Sequence, residues 1–288
     1  MRLVTFTCRG RISIGKLEGS EVIDLPASDA RIPATMRQLL AAGPQAMQWA
    51  REVDARRAVT YPLADVRLQA PVPDPSKYLA IGMNYRKHAE EARRAGVDVP
   101  QTQVWFNKQV SCINGPFDPV HMPKVSDKLD YEAELGVVIG KRCRHVDAKD
   151  ARSVIAGYLV CNDVSVRDWQ RRSQTMTLGK SFNTTGPIGP WIVTDDEVKD
   201  PLALRLRMKI NGEVRQEVTT DQMIFNIYEQ IAYLSTVMTL EPGDLLATGT
   251  PDGVGAAMEP PCFLKIGDVM RVEIDGIGHI ENTVIAEP

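Results

Sequence analysis

The stretch Asp130-Tyr131-Glu132-Ala133-Glu134-Leu135-Gly136-Val137-Val138-Ile139-Gly140 sets two acidic residues, two positions apart, at the head of an apolar and largely β-branched run. That run predicts a largely buried strand, and a strand's period of two puts Glu132 and Glu134 on one face. Two like charges side by side there would repel and resist desolvation unless a cation neutralised them. The alternative is a solvated sheet face that carries the same pair. A second predicted strand, Gly157-Tyr158-Leu159-Val160-Cys161, ends at Asn162-Asp163, from which a third carboxylate could project toward the first two. Three oxygen ligands with no Cys or His beside them favour a hard ion over zinc: Mg²⁺ or Mn²⁺, with Ca²⁺ as an alternative.

Working outward, β signals dominate the rest of the chain. Leu204–Ile210 alternates apolar and basic residues before Asn211-Gly212, and Met270–Ile274 runs into Asp275-Gly276 and a further strand around His279–Ile285. These read as antiparallel strands joined by tight turns. Ile224, Ile227, Ile231, Leu234 and Met238 recur at helical spacing after Asp221, a candidate cap, and Pro242-Gly243 stops the pattern; this helix would cover a sheet. Toward the N-terminus, strand-like Leu3–Thr7 and Ile12–Leu17 precede a helical pattern over Met36–Arg57 that Gly43-Pro44 interrupts. Three alternate prolines in Ala70-Pro71-Val72-Pro73-Asp74-Pro75 read as a linker. The expected division is a small N-terminal α/β domain over 1–70 and a β-rich α+β main domain over 71–288.

With 288 residues, 43% hydrophobic and 25% charged, the composition is that of a globular protein with a core of its own. A formal net charge of −3 offers no basic field for nucleic acid. The longest apolar runs, such as Leu135–Gly140, are too short to span a bilayer, and the opening MRLVTFTCRGR lacks a signal-peptide core, so a cytoplasmic protein with no membrane partner is expected. The five cysteines are scattered with no C-x-x-C pair, which favours reduced structural thiols over a nucleophile.

Among the four histidines, His88 has the most suggestive surroundings. Asn84 can cap a short helix and Gly96 can end it, placing Glu91 one turn from His88 on the same face. A carboxylate there would fix the imidazole tautomer and raise its basicity; the bland alternative is an exposed charged helix with a solvated histidine. The helix carries few large apolar residues, which suggests a weakly packed lid. Lys180, in Leu178-Gly179-Lys180-Ser181-Phe182, and Lys108, in Phe106-Asn107-Lys108, could each present an ammonium to a substrate oxygen. The glycine-rich Thr248–Gly255 matches no nucleotide-binding pattern; a loop that brings Thr250 and backbone amides against a small carboxylate fits it better.

Five ordered blocks then converge. Gly82-x-Asn84-Tyr85-x-x-His88-x-x-Glu91, Asp130-x-Glu132-x-Glu134-Leu135, Asn162-Asp163-Val164-Ser165-x-Arg167-Asp168, Gly179-Lys180-Ser181-Phe182 and Pro242-Gly243-Asp244-x-x-x-Thr248-Gly249-Thr250-Pro251-x-Gly253-Val254-Gly255 resemble the fumarylacetoacetate hydrolase family. The resemblance spans about Pro75 to the C-terminus, residues 1–70 being similar only to the variable N-terminal domain of longer bacterial members. It implies a mixed β-sandwich roll and a homodimer. It implies Glu132, Glu134 and Asp163 as metal ligands, His88 and Glu91 as a water-activating pair, and Lys180 as the oxyanion-stabilising lysine. Arg167, Gln170 and Thr250 fall where members contact the oxo-acid end of the substrate. The implied reaction is metal-dependent hydrolysis of a C–C bond in a small 2,4-dioxo acid of the acylpyruvate type. Oxaloacetate decarboxylation and isomerisation or hydration of an oxo-enoic acid are alternatives on the same site. At Met83 the sequence departs from the arginine of many short members.

Overall fold

The structure is a computed structural model that describes residues 1–94, 96, 99 and 101–288. Its architecture is β-rich α+β, built on one large mixed sheet and one small sheet packed over it, antiparallel except for its last strand. The large sheet runs, from one edge, Thr60–Pro62, Glu21–Asp24, Arg11–Glu18, Arg2–Cys8, Gly186–Thr194, Ile155–Asn162, Ala133–Ile139, Leu245–Ala247, Tyr78–Gly82 and Val104–Lys108. The small sheet runs Glu213–Thr219, Arg205–Ile210, Val269–Ile274, Gly278–Ala286 and Val120–Met122.

Ala133–Ile139 is buried along its whole length because both of its faces are covered. Leu135, Val137 and Ile139 enter a core shared with Leu206, Met208 and Val272 of the small sheet. Val138 enters a second core together with Leu39, Leu40 and Ala46 of the N-terminal helices Met36–Ala41 and Gly43–Glu52. A strand covered on both sides must be apolar at nearly every position, so the run reads as continuous rather than alternating. Two charged residues survive at its head because the strand leaves the apolar layers there.

The N-terminal strands continue the large sheet: Arg2 lies opposite Val193 and Leu3 opposite Ile192. The proline-rich stretch 70–75 holds no regular element, although Val72 is fully buried. The helix expected after Asp221 starts later, at Ile227, and ends at Val237. Asn226 is its cap, accepting from the Tyr228 and Glu229 amides while the Glu229 side chain returns to the Asn226 amide. Asp221 instead sits in a one-turn 3₁₀ segment, Thr220–Gln222. The sequence pointed to Asp221, but Asn226 is the residue with a glutamate three positions on to complete the box, where Asp221 has Ile224.

Candidate active site

The site forms where two strand ends leave the large sheet together. Glu132 immediately precedes Ala133–Ile139, and its amide donates to Asn162 Oδ1 at 3.0 Å. Asp163 immediately follows Ile155–Asn162, and its amide donates to the Glu132 carbonyl at 2.9 Å. This lashing brings one carboxylate oxygen from each of Glu132, Glu134 and Asp163 within 4.8 Å of the other two, all three residues being buried.

Charged neighbours hold two of the three. Lys180 Nζ lies 2.5 Å from Glu132 Oε2 and 2.6 Å from Asp163 Oδ2. Lys108 Nζ donates to Asp163 Oδ1 at 2.7 Å and to the Thr185 carbonyl at 3.0 Å. Arg167 Nη2 is 2.7 Å from Glu132 Oε1, while its Nε donates to Asp130 Oδ2 at 2.8 Å. Glu134 has only the Gly249 amide, at 2.7 Å, and no cation in ion-pair contact among the described residues. Burial pushes its carboxyl well above the usual range, and the charges of Asp163 and Glu132 push it further. Glu132 meets the same burial, but Arg167 and Lys180 outweigh it and hold its pKa down to about 2.

Counting Asp130, four buried carboxylates face three buried cations, and the uncompensated one is Glu134. A hard divalent ion fits that donor set, because it adds the missing positive charge where three oxygens already converge. Glu132, Glu134 and Asp163 are the residues that would hold it.

His88 and Glu91 lie on the helix Arg86–Arg94. His88 Nδ1 is 2.9 Å from Glu91 Oε2, and the other Glu91 oxygen accepts from the Gly253 amide at 3.3 Å. An ionised carboxylate can only accept, so Nδ1 carries a proton, and the neutral imidazole in that tautomer has its lone pair on Nε2. The helix begins without help from Asn84, which the sequence suggested as its cap. Asn84 is fully buried and spent elsewhere, donating to the Thr248 and Phe225 carbonyls and accepting from the Phe225 amide. Gly96 does have the positive φ, +76°, of a helix-ending glycine.

The residues expected to touch substrate fall into three positions. Thr250 follows Gly249 in the loop against Glu134, and Gln170 accepts from Arg167 Nη1 at 3.0 Å. Lys108 lies beneath Asp163 with its ammonium committed to that carboxylate and to carbonyls. Lys180 likewise spends two donors on Glu132 and Asp163, and its ammonium sits 4.8 Å from the Phe106 ring centre.

Sequence reasoning gave no role to Asp130 or Gln216. Asp130, fully buried, accepts from the Gly255 and Ala256 amides as well as from Arg167, so it joins the glycine-rich loop to the site's arginine. Its signal was available: Asp130, Glu132 and Glu134 form one period-two series. Gln216 bonds from the small sheet to the Ala133 amide and to Thr250, contacts across 83 and 34 residues of sequence that no local pattern announces.

Comparison with known proteins gives the family. The fumarylacetoacetate (FAA) hydrolase C-terminal family matches residues 77–285. A Xenopus laevis protein named as a mitochondrial oxaloacetate tautomerase is 42% identical over 291 residues, covering 99% of this chain and 90% of the relative. A human protein of the same name is 43% identical over 269 residues, covering 93% and 85%. Among solved structures, a fumarylacetoacetate hydrolase from psychrophilic Exiguobacterium antarcticum aligns over all of both chains at 36% identity and a TM-score of 0.87. A maleylpyruvate hydrolase from Sphingobium sp. SYK-6, solved with manganese(II) and pyruvate, does so at 33% identity and a TM-score of 0.83. With a matching family segment over most of its length and relatives above 40% identity, this chain belongs to the fumarylacetoacetate hydrolase family.

Proposed function

We propose that this protein interconverts the enol and keto forms of a small 2-oxo dicarboxylic acid, with oxaloacetate as the substrate to try first. The observation that carries the reading is the His88–Glu91 pair, whose 2.9 Å contact leaves Nε2 as a base beside a buried, cation-seeking carboxylate cluster. A divalent ion held by Glu132, Glu134 and Asp163 would supply Lewis acidity at the 2-oxo oxygen. The reacting group is then the carbon next to that carbonyl. His88 Nε2 takes a proton from the enol hydroxyl or from this carbon and returns it to the other, so one O–H and one C–H bond exchange with nothing consumed. Glu91 keeps the imidazole in the tautomer that can do so and stabilises its protonated form. Arg167 and Lys180 are the fixed positive charges facing the substrate's carboxylate and oxygen atoms. The names carried by relatives at 42% and 43% identity support this reading over the sequence expectation of hydrolysis.

Hydrolysis of an acylpyruvate-type dioxo acid is the second reading, favoured by the Sphingobium neighbour and by the same base. In that reaction His88 takes its proton from water, which attacks the distal carbonyl, and Lys180 would turn its third N–H to the oxyanion. One assay separates the readings. With Mn²⁺ present, the purified protein should speed the decay of enol-oxaloacetate absorbance and exchange deuterium into the carbon next to the carbonyl without releasing pyruvate. His88→Ala should slow this by about 10²–10⁴-fold while leaving Mn²⁺ affinity intact. Pyruvate release from oxaloacetate would make it a decarboxylase, and cleavage of acetylpyruvate alone a hydrolase.

The assembly we infer is a homodimer, which light scattering would read as twice 31.9 kDa. No described helix is long and apolar enough to cross a membrane. The mitochondrial location in the relatives' names is theirs; for this chain the cytoplasmic expectation is a proposal that localisation of a tagged chain tests.

A further inference from the structure

We propose that Gln216 is a positioning residue: it turns the Thr250 hydroxyl into a hydrogen-bond donor aimed at an anionic substrate oxygen, and so makes that position selective for a carboxylate. The proposal rests on the reading of the site as one for a 2-oxo acid.

Gln216 belongs to Glu213–Thr219, whose other side chains are exposed or half-buried, yet it is 1% exposed itself. Its inward place follows from an irregularity in the strand. Met208 pairs with Gln216 but Lys209 pairs with Val214, leaving Arg215 as an extra residue that changes which side faces inward. A buried amide must then find partners for both ends. The Ala133 amide, between the two ligand glutamates, can only donate, so the atom 3.0 Å from it is Oε1. The Pro251 carbonyl can only accept, so the atom 2.9 Å from it is Nε2. These two contacts fix the amide's orientation by chemistry alone.

Nε2 then has one direction left to donate, and Thr250 Oγ1 lies there at 2.9 Å. A hydroxyl that accepts from an amide keeps its own proton to give away, and no protein acceptor takes it among the described residues. The preceding residue, Gly249, donates its amide to Glu134, which places Thr250 at the edge of the carboxylate cluster. The side chain that steadies the ligand strand at Ala133 thus also sets the polarity of the group facing the substrate. Gln216 Nε2 occupies one of the two hydroxyl lone pairs and leaves the proton free: a carboxylate oxygen can accept that proton, whereas a cationic donor has no lone pair with which to receive it.

The test uses oxalate, a small planar dianion that imitates the oxo-acid end, titrated calorimetrically into the Mn²⁺-loaded protein. Thr250→Val should weaken oxalate binding about tenfold or more, and Thr250→Ser should restore it. Gln216→Met should weaken oxalate binding several-fold while Mn²⁺ affinity stays within about twofold. The decisive measurement is the pair: Gln216→Met/Thr250→Val should bind oxalate no more weakly than Thr250→Val alone, because the first residue acts through the second. Independent, multiplying losses would overturn the proposal, as would wild-type oxalate affinity in Gln216→Met. If Gln216→Met does not fold, Gln216→Glu keeps an acceptor for Ala133 but withdraws the donor from Thr250. Weakened oxalate binding there supports the proposal and unchanged binding overturns it. Wild-type protein that binds Mn²⁺ but no oxalate overturns the 2-oxo acid reading itself, an outcome distinct from a variant that binds oxalate as the wild type does.

Discussion

Two strands carry like charges two residues apart, and their surroundings treat them in opposite ways. Along Arg205–Ile210, the basic residues Arg205, Arg207 and Lys209 each meet acid from a neighbouring strand or turn: Arg205 meets Glu217, Arg207 lies 2.8 Å from Asp275, and Lys209 lies 2.9 Å from Glu273. Most of these groups are half-exposed, and water shares the load. At the head of Ala133–Ile139 the charges are buried, three cations are supplied for four carboxylates, and Glu134 is left over. The same sequence pattern therefore marks a solvated ladder in one place and a stored electrostatic deficit in the other. What separates them is what covers the face.

The most forceful way to break this contrast is to remove one acid from each cluster. Asp163→Ala leaves Lys108 buried without its carboxylate and takes one of two from Lys180, which keeps Glu132; a buried charge orphaned as Lys108 would be costs about 3–5 kcal/mol. Denaturant unfolding in EDTA should show that loss, whereas Glu273→Ala should cost less than about 1 kcal/mol. Comparable losses would mean that water reaches the carboxylate cluster and that its burial is not the distinction.

Gly249→Ala probes the one neutral contact that Glu134 has. Gly249 has φ near +100°, and a Cβ there would lie 2.7 Å from Asn84 Cβ, so the loop must shift. The strain should cost about 1–3 kcal/mol, and withdrawal of the amide from Glu134 should lower Mn²⁺ affinity by about 10–100-fold. If Mn²⁺ affinity is unchanged, the glycine loop serves packing alone.

Glu134→Gln should move stability the other way. The amide keeps the shape and the Gly249 bond but ends the repulsion, so metal-free protein should gain roughly 1 kcal/mol, about 2–4 °C in Tm, while losing its response to Mn²⁺. The sign follows from linkage. A carboxyl whose folded pKa is raised holds a proton the unfolded chain has released, so its contribution is full below the unfolded value and disappears as pH rises through the folded one. The variant's advantage should accordingly grow from mildly acidic to neutral pH and beyond.

Much of this could be read from residues alone, and the reasons for the remainder are physical. The Ala133–Ile139 run, the Asn211-Gly212 hairpin and the Glu132/Glu134 pair are local patterns, and the structure contains each, whereas Asp163 came from a second strand end and from the family resemblance. The His88–Glu91 contact is also local, one helical turn. Harder to see were groups whose role depends on distant partners. Asn84 looked like a cap because its neighbours are helical, but the Phe225 and Thr248 backbones claim it. Lys108 and Lys180 read as free ammoniums because sequence does not show that Asp163 will lie between them. Gln216 was invisible because a bulge, not a pattern, turned it inward.

Glu273→Gln is the smallest effect and the sharpest check on the exposed cluster. Burial alone would raise the Glu273 carboxyl, but hydrogen bonds from Arg271 and Lys209 outweigh it and lower its pKa from 4.5 to about 2. A depressed folded value contributes stability above the unfolded pKa that is lost as pH falls through the folded one, the reverse of Glu134. Wild-type protein should exceed Glu273→Gln by under about 1 kcal/mol at neutral pH, since its partners are partly exposed. The gap should close as pH falls from 4.5 toward about 2, and it should shrink in molar salt, where the screening length is about 3 Å. The Glu134→Gln difference should resist the same salt, because ions do not enter a cluster whose carboxylates are at most 5% exposed. Equal salt sensitivity at the two sites would show that both clusters are wet, and the unpaired charge on Glu134 would then no longer set the site apart.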